Sequence, residues 1–305
     1  MSIIEVNQVS KSFGDLRAVD DISFKIDEGT VFGFLGPNGA GKTTTIRMIM
    51  NIIIPDSGDI SVMGENDLRK INNQIGYLPE ERGIYRKMIV NEVLLFLAEL
   101  KLMRIKDAQR AIDIWLKKFD LMDWKKKKVE ELSKGMQQKL QFIATIMFEP
   151  SLIILDEPFL GLDPINVNLI KNTIMDLKKQ GKTIIFSTHS MESAEKLCDE
   201  IFLINKGKKV LSGKLTAIKE SYGKRNIQLQ YDGSHHFLDE SRLIEKFDDF
   251  GKYTEVQLKP DSDPQEFLKE SLAKVKIKRF EIMEPSLNDI FIESVTDING
   301  NGGLI

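Results

Sequence analysis

Gly36, Gly39, Gly41, Lys42 and Thr43 stand at the spacing GxxxxGK[ST], and residues of these types in this order are suited to holding a polyphosphate. The glycines, with Pro37, Asn38 and Ala40 between them, let backbone N–H groups turn inward around phosphate oxygens. Lys42 brings a point charge to the outer phosphates, the Thr43 hydroxyl is a ligand for Mg²⁺, and Thr44 follows at the same edge of the loop. A helix beginning at Lys42 adds the positive end of its dipole. The pattern is specific for nucleotide binding. It is silent on which nucleotide is bound and on what the energy drives.

A second constellation is Asp156, Glu157 and Pro158, reached at the end of four apolar residues from Leu152 to Leu155. A buried strand that delivers carboxylates at its C-terminal edge puts them where open α/β sheets bind ligands. Successive strand residues point to opposite sides, so the two acids take different tasks. Asp156 would hold Mg²⁺, directly or through water, and Glu157 would orient or deprotonate the attacking water. Taken alone, the pair suits equally well the acidic first turn of a helix; the phosphate loop ahead of it favours the catalytic reading. His189 follows Phe186, Ser187 and Thr188 at the end of the next core strand, hence at the same sheet edge. An imidazole there can donate to the γ-phosphate. His235 and His236 lie in a turn-rich region without partners at metal spacing and carry no assignment.

These residues need a sheet to bring them together, and the apolar pattern supplies one. Val31 to Leu35 is a continuous apolar run, as in a strand buried on both faces, and it feeds the phosphate loop and then a helix over 42–51. Similar runs recur at 152–155, 183–186 and 201–204, separated by helical stretches, which implies an α/β core with a largely parallel sheet. Ile3 to Val6 and Ile22 to Ile26 alternate as half-buried strands about a turn at Phe13, Gly14 and Asp15. Residues 87–148 read as mainly helical: Val93, Phe96, Leu97 and Leu100 recur at helical spacing, as do Ile112, Leu116 and Phe119. The run Lys125 to Lys128 reads as a solvated turn.

From about 220 the composition shifts, with turns at Gly223, Gly233, Pro260 and Pro264. Ile227, Leu229 and Tyr231 alternate as one strand and Val256 and Leu258 as another. Ile277, Phe280 and Ile282 fit a third less cleanly, and Phe267, Leu268 and Leu272 suggest a helix before it. The expected organisation is a first domain over 1–219, a small α+β domain over 220–296, and a disordered tail over 297–305.

The 305 residues are 42% hydrophobic and 29% charged, a balance that suits a globular chain with a sizeable core. A net charge of −3 offers no basic excess for a nucleic-acid partner. The single cysteine, Cys198, reads as a small buried hydrophobe in a reducing compartment. No apolar stretch approaches the roughly 20 residues that span a bilayer, and the N-terminus lacks a secretory pattern. Any membrane role is therefore expected to run through partners.

Leu132, Ser133, Lys134, Gly135, Met136, Gln137 and Gln138, just ahead of the acidic strand, resemble the ABC signature usually written LSGGQ. Locally, Ser133 could simply cap a helix. The rest of the order also resembles an ABC ATPase: Phe13 at the position of the aromatic that stacks on adenine, Leu160 to Asp163 as the loop crossing the dimer interface, and Ser187 to His189 as the switch. The resemblance covers residues 2–215. It implies a P-loop NTPase fold of the ABC ATPase type, α/β, with a β-rich N-terminal part and a helical subdomain over about 87–148. It further implies ATP and Mg²⁺ as ligands, no covalent cofactor, and a homodimer or a pair with a related ATPase subunit. Ser133 and Gly135 would face the nucleotide of the opposite chain, with Asp163 at the interface, and integral membrane permease subunits would be the partners. Such a chain would be cytoplasmic and peripheral at the cytoplasmic face of the cell membrane.

Two positions depart from the family pattern. Glu80 stands where a glutamine is usual, adding negative charge beside the triphosphate while remaining able to ligate Mg²⁺. Lys134 and Met136 replace a glycine and a glutamine of the signature; Gly135 is retained. The stretch from Ile75 to Tyr85 and the ending from Pro285 to Phe291 resemble ATPases of ABC-2-type exporters, including those named for sodium extrusion, with a small C-terminal domain. The rival readings are a soluble ABC ATPase of repair or translation and an ATP-gated clamp whose hydrolysis has decayed.

Overall fold

The computed structural model describes residues 2–300 apart from 82, 223–225 and 261, and of 295–300 the backbone alone. The chain divides into two compact units, Met1–Gly213 and Lys214–Ile305.

In the first unit, β1 (Ser2–Phe13) and β2 (Leu16–Asp27) form an antiparallel hairpin that closes with Phe13 opposite Leu16. The all-buried run β3 (Val31–Leu35) leads through the glycine-rich loop into α1 (Lys42–Ile49). α1 is two residues shorter than its expected span, because Asn51 turns into left-handed backbone with φ 53°. β4 (Ser57–Val62) adds to the free side of β1, giving a three-stranded sheet in the order β2-β1-β4. β5 (Ile75–Leu78) then enters a second sheet.

The helices α2 (Val90–Leu100), α3 (Ile105–Lys118) and α4 (Lys134–Ile146) pack on one another as the expected helical subdomain. α3 buries Ala108, Ile112 and Leu116, spaced four apart, and turns its charged residues outward. The helical spacing of Val93, Phe96, Leu97 and Leu100 is borne out as α2, but its apolar positions are not all buried. Val93 is buried, but Phe96 and Leu100 are exposed, and Phe96 meets the exposed Tyr85 edge-on at 5.5 Å between ring centres. Helical spacing marks a face without saying whether the chain itself covers it.

The remaining elements are β6 (Leu152–Asp156), α5 (Pro164–Lys179), β7 (Thr183–Thr188), α6 (Met191–Leu197), β8 (Glu200–Asn205) and β9 (Lys208–Lys214). The second sheet runs β5-β6-β7-β3-β8-β9. β5 with β6, β6 with β7, and β3 with both β7 and β8 are parallel. β3 therefore sits between strands that follow it by far in sequence, and the carboxyl ends of β3, β6 and β7 lie side by side, where such sheets bind ligands. One buried cluster joins the two sheets through Ile4, Phe24, Phe34, Phe202 and α1's Ile46 and Ile49. Phe24 lies 4.8 Å from Phe202, and Phe202 stacks on Phe34 at 5.1 Å. This packing fixes α1 against the sheet.

The second unit holds α7 (Leu215–Tyr222), β10 (Asn226–Asp232), α8 (His236–Glu240), β11 (Ile244–Asp249), β12 (Thr254–Leu258), α9 (Pro264–Lys274), β13 (Lys276–Met283) and α10 (Leu287–Gly300). Its four-stranded antiparallel sheet, β11-β12-β10-β13, is cored by Ile227, Leu229, Val256, Leu258, Phe237 and Phe267. The irregular spacing of Ile277, Phe280 and Ile282 has a physical cause. Gln230 pairs with Arg279 but Tyr231 pairs with Ile277, so Lys278 is an extra residue and the alternation slips at this bulge. The division between units falls before α7 rather than after 219, because α7 packs on α10, with Tyr222 and Ser294 hydroxyls 2.7 Å apart. The segment expected to be disordered from 297 is helical to Gly300; residues 301–305 and the turn expected at Gly223 lie outside the described residues.

Candidate functional site

The glycine loop is shaped by close approach of backbone. Gly36 has φ 153°, and a Cβ there would meet the Ile204 carbonyl oxygen at 2.2 Å; Gly41 has φ 110°, with the Ala18 carbonyl oxygen at 2.5 Å. No side chain caps α1 and its first turn carries no acid, so the N–H groups behind Gly41 are not neutralised from within the helix. Pro37, Asn38 and Gly39 are exposed at the crest, while Ala40, Gly41 and Lys42 are buried. Thr44 is half-buried on the first turn.

Lys42 points back along this loop. Its Nζ donates to the carbonyls of Gly36 at 2.8 Å and Pro37 at 3.1 Å, and it lies 3.7 Å from Glu157 Oε1. The same Glu157 oxygen is 3.0 Å from His189 Nδ1. Lys42 and Glu157 are 6% and 9% exposed, whereas His189 is half-exposed, so the imidazole closes the solvent side of a buried charge pair. Glu157 adopts left-handed backbone, φ 48°, which for a non-glycine residue is strained and is the kind of strain that collects at functional sites.

Asp156 takes different partners. Its Oδ1 accepts from the Ser187 hydroxyl at 2.5 Å and from Thr43 Oγ1 at 3.3 Å. Ser187 lies opposite Asp156 on the neighbouring strand, and its oxygen also accepts from the Glu157 N–H at 3.0 Å, so one hydroxyl holds both acids. Thr43 Oγ1 is 3.4 Å from Glu80 Oε2 as well. Burial raises the Asp156 pKa above the usual carboxylate range, and the charges of Glu80 and Glu157 raise it further, against the Ser187 and Thr43 hydrogen bonds. Tyr77, beneath, is pushed up to about 12, chiefly by burial and then by the Asp156 charge. Arg47 of α1 donates to Glu81 at 3.0 Å and pins the Glu80 segment to the helix behind the phosphate loop.

The oxygens of Thr43, Glu80 and Asp156 thus meet at one place, and Asp156 Oδ2 is buried with no hydrogen-bond partner among the described residues. A set of hard oxygen donors with an unsatisfied carboxylate oxygen fits a divalent cation such as Mg²⁺.

Four of the sequence-selected residues lie elsewhere in their contacts. Phe13 is 48% exposed at the hairpin tip, with Lys11 Nζ 5.7 Å from its ring centre. Ser133 caps α4 through the Met136 N–H. Asp163 caps α5 by accepting from the N–H groups of Ile165 and Asn166, and these donors, Asn166 first, hold its pKa below the usual carboxylate range. Among the described residues a Cβ on Gly135 would meet only Leu162, at an ordinary 3.6 Å, so none of them requires glycine there.

Over residues 19–160 the chain matches the family described as ABC transporter, and over 213–295 the one described as ATP-binding protein DrrA1-3-like, C-terminal domain. It is 45% identical over 293 residues to the uncharacterized ABC transporter ATP-binding protein YhaQ of Bacillus subtilis, covering 96% of this chain and 98% of that protein. The chain belongs to the ABC transporter ATP-binding proteins. A solved ATP-binding subunit of an ABC transporter superposes with a TM-score of 0.68 at 31% identity, covering 72% of this chain and 93% of the other. The Nod factor export ATP-binding protein I of Burkholderia lata is 34% identical over 256 residues, 83% of each chain. This ABC subunit is an ATPase of the kind that powers transport, and the expected fold and family stand. None of these relatives points to a repair or translation ATPase.

Two residues of this ABC subunit's site were named from sequence only within motifs, with no role of their own. Ser187 was legible in principle, as a hydroxyl one strand over from Asp156. Gln138 was hidden inside the signature helix; it is 5% exposed and donates to the Pro158 carbonyl at 2.8 Å. His235 and His236 do acquire a neighbour, Asp239, one helical turn on, with ligand atoms of all three within 4.8 Å at the exposed surface of the second unit.

Proposed function

We propose that the chain binds and hydrolyses MgATP in a closed pair of copies, or with a related ATPase subunit, and so drives separate membrane permease subunits in export. The observation that carries this reading is the convergence of Lys42 and His189 on the buried Glu157, beside Asp156 and Thr43. Phe13 offers a face for adenine, and the loop of Gly36 to Gly41 offers N–H groups to the phosphates. Lys42 exchanges its carbonyl partners for the outer phosphate oxygens. Thr43, Asp156 and Glu80 would hold Mg²⁺, which when bound neutralises phosphate charge.

Glu157 then orients a water and takes its proton as the water oxygen bonds to the γ-phosphorus. The bond to the bridging oxygen breaks, and ADP and inorganic phosphate are the products. His189, hydrogen-bonded to Glu157, steadies that carboxylate and can turn to the γ-phosphate. Ser133 and Gly135, with the N-terminus of α4, serve the nucleotide of the other chain. That no described residue of the chain requires glycine at 135 supports this, since a close approach from outside supplies a reason. Asp163, through the start of α5, shapes the loop between the two copies.

Among the described residues no helix is long and apolar enough to cross a membrane. The exposed Tyr85, Phe96, Leu100, Leu102 and Ile105 around α2 offer an apolar face for a permease at the cytoplasmic side. Export follows from the likeness to an ATP-binding protein named for Nod factor export. The test is Glu157→Gln. It should keep ATP binding, lose phosphate release by roughly 100-fold or more, and accumulate as a pair in light scattering with MgATP. Normal turnover, or a monomer at saturating MgATP, would overturn the reading.

A further inference from the structure

Among the described residues, two buried side-chain polar atoms have no hydrogen-bond partner: Asp156 Oδ2 and Gln138 Oε1. Both residues line the same cavity, of about 20 Å³, together with Leu78, Pro79, Glu80, Gln141, Glu157 and Leu160. The orientation of the Gln138 amide is fixed, because its NH₂ group donates to the Pro158 carbonyl and a flip would set two oxygens against each other. Both orphan atoms are therefore acceptors, and neither can serve the other. An unpaired buried acceptor is costly, so two of them on one cavity call for a shared donor. The volume suits a single water, which needs about 10–15 Å³ and two to four polar partners. Such a water donates twice, to Asp156 Oδ2 and Gln138 Oε1, and the Gln141 amide in the wall can donate to it in turn.

We propose that this cavity binds one water molecule that bridges Gln138 to Asp156, making Gln138 a positioning residue for that carboxylate. The bridge completes a chain of hydrogen bonds. It starts at the Pro158 carbonyl, passes through Gln138 of α4 and the water to Asp156, and ends at Ser187 and Thr43. α4 is the helix whose first residues are assigned above to the other chain's nucleotide. A shift of α4 on closure would reach Asp156 through Gln138, linking engagement of one site to the geometry of the other. This consequence rests on the function proposed above; the water itself does not.

The test is a high-resolution crystal structure of the full chain in EDTA without nucleotide, paired with Gln138→Met, which keeps the length of the side chain and removes the acceptor. The wild type should show one density peak at about 2.7–3.0 Å from both orphan atoms. In Gln138→Met the peak should be gone, and kcat for ATP should fall about tenfold with KM unchanged, as expected on losing a hydrogen bond to a charged group. A wild-type cavity with no such peak, or with a peak touching only one of the two atoms, overturns the bridge, and this readout needs no active enzyme. A Gln138→Met protein without the water but with unchanged kcat overturns the positioning role. If that variant does not fold, the wild-type density alone decides. Undiminished turnover in Asp156→Asn would instead defeat the function assigned to Asp156.

Discussion

Replacing Asp156 by Asn should stabilise the nucleotide-free chain while removing its response to MgATP. Asp156 is 1% exposed, one of its oxygens is served by Ser187 and Thr43, and the other meets no protein donor among the described residues. Glu80 and Glu157 add like charge, and the pKa is raised accordingly. Asn keeps the served oxygen, removes the charge, and puts an amide donor among the acceptors of the cavity. Removing a buried charge that faces the like charges of Glu80 and Glu157 is worth on the order of 1–3 kcal/mol. For a unit of this size that is a rise in Tm of roughly 2–12 °C.

The pH dependence has a definite sign. A carboxyl whose folded pKa is raised binds its proton more tightly when folded, so its penalty is absent below the unfolded value near about 3.9. The penalty grows as pH rises through the raised value. The advantage of Asn should therefore be largest at neutral pH and fade towards pH 4. Calorimetry of both proteins in EDTA across that range measures it, and the same scans with MgATP should stabilise only the wild type. An Asn variant less stable than wild type at neutral pH in EDTA would refute the reasoning.

Two glycines should behave oppositely. Gly36→Ala drives a Cβ into the Ile204 carbonyl oxygen and should lower Tm by several degrees and abolish ATP binding, whereas Gly135→Ala has room within the chain and should leave Tm unchanged while weakening MgATP-driven pairing; thermal scans and light scattering separate the two. Glu80→Gln removes a charge beside Asp156 and should raise Tm in EDTA but lower affinity for Mn²⁺, read by electron paramagnetic resonance without nucleotide. Cys198 is buried with its thiol pKa pushed up by burial, so a thiol reagent should react only at the rate of unfolding; fast labelling of the native chain would contradict its placement.

The buried runs at β3, β6, β7 and β8 were legible because strands covered on both faces are apolar throughout, and the glycine loop because its spacing is dictated by backbone contact with phosphate. The meeting of Lys42, Glu157 and His189 followed from strand order, which parallel runs with intervening helices suggest but do not fix. Other features leave no such trace. The left-handed backbone at Glu157 has no residue signature, since glycine would be the usual choice there. Gln138 looks like any polar residue of a helix until its neighbours are known. The bulge at Lys278 blurs the β13 alternation, and Phe96 and Leu100 keep core-like spacing on a face that the described residues leave exposed.

The claim that each nucleotide site is built from two chains is tested most directly by mixing. A Lys42→Ala chain lacks a working phosphate loop, and a Ser133→Arg chain lacks a working signature, so each alone should release little phosphate from MgATP. In a mixed pair the intact loop of one chain meets the intact signature of the other. An equimolar mixture should release phosphate well above the sum of the separate proteins. A rate that only matches that sum would contradict a site shared between chains.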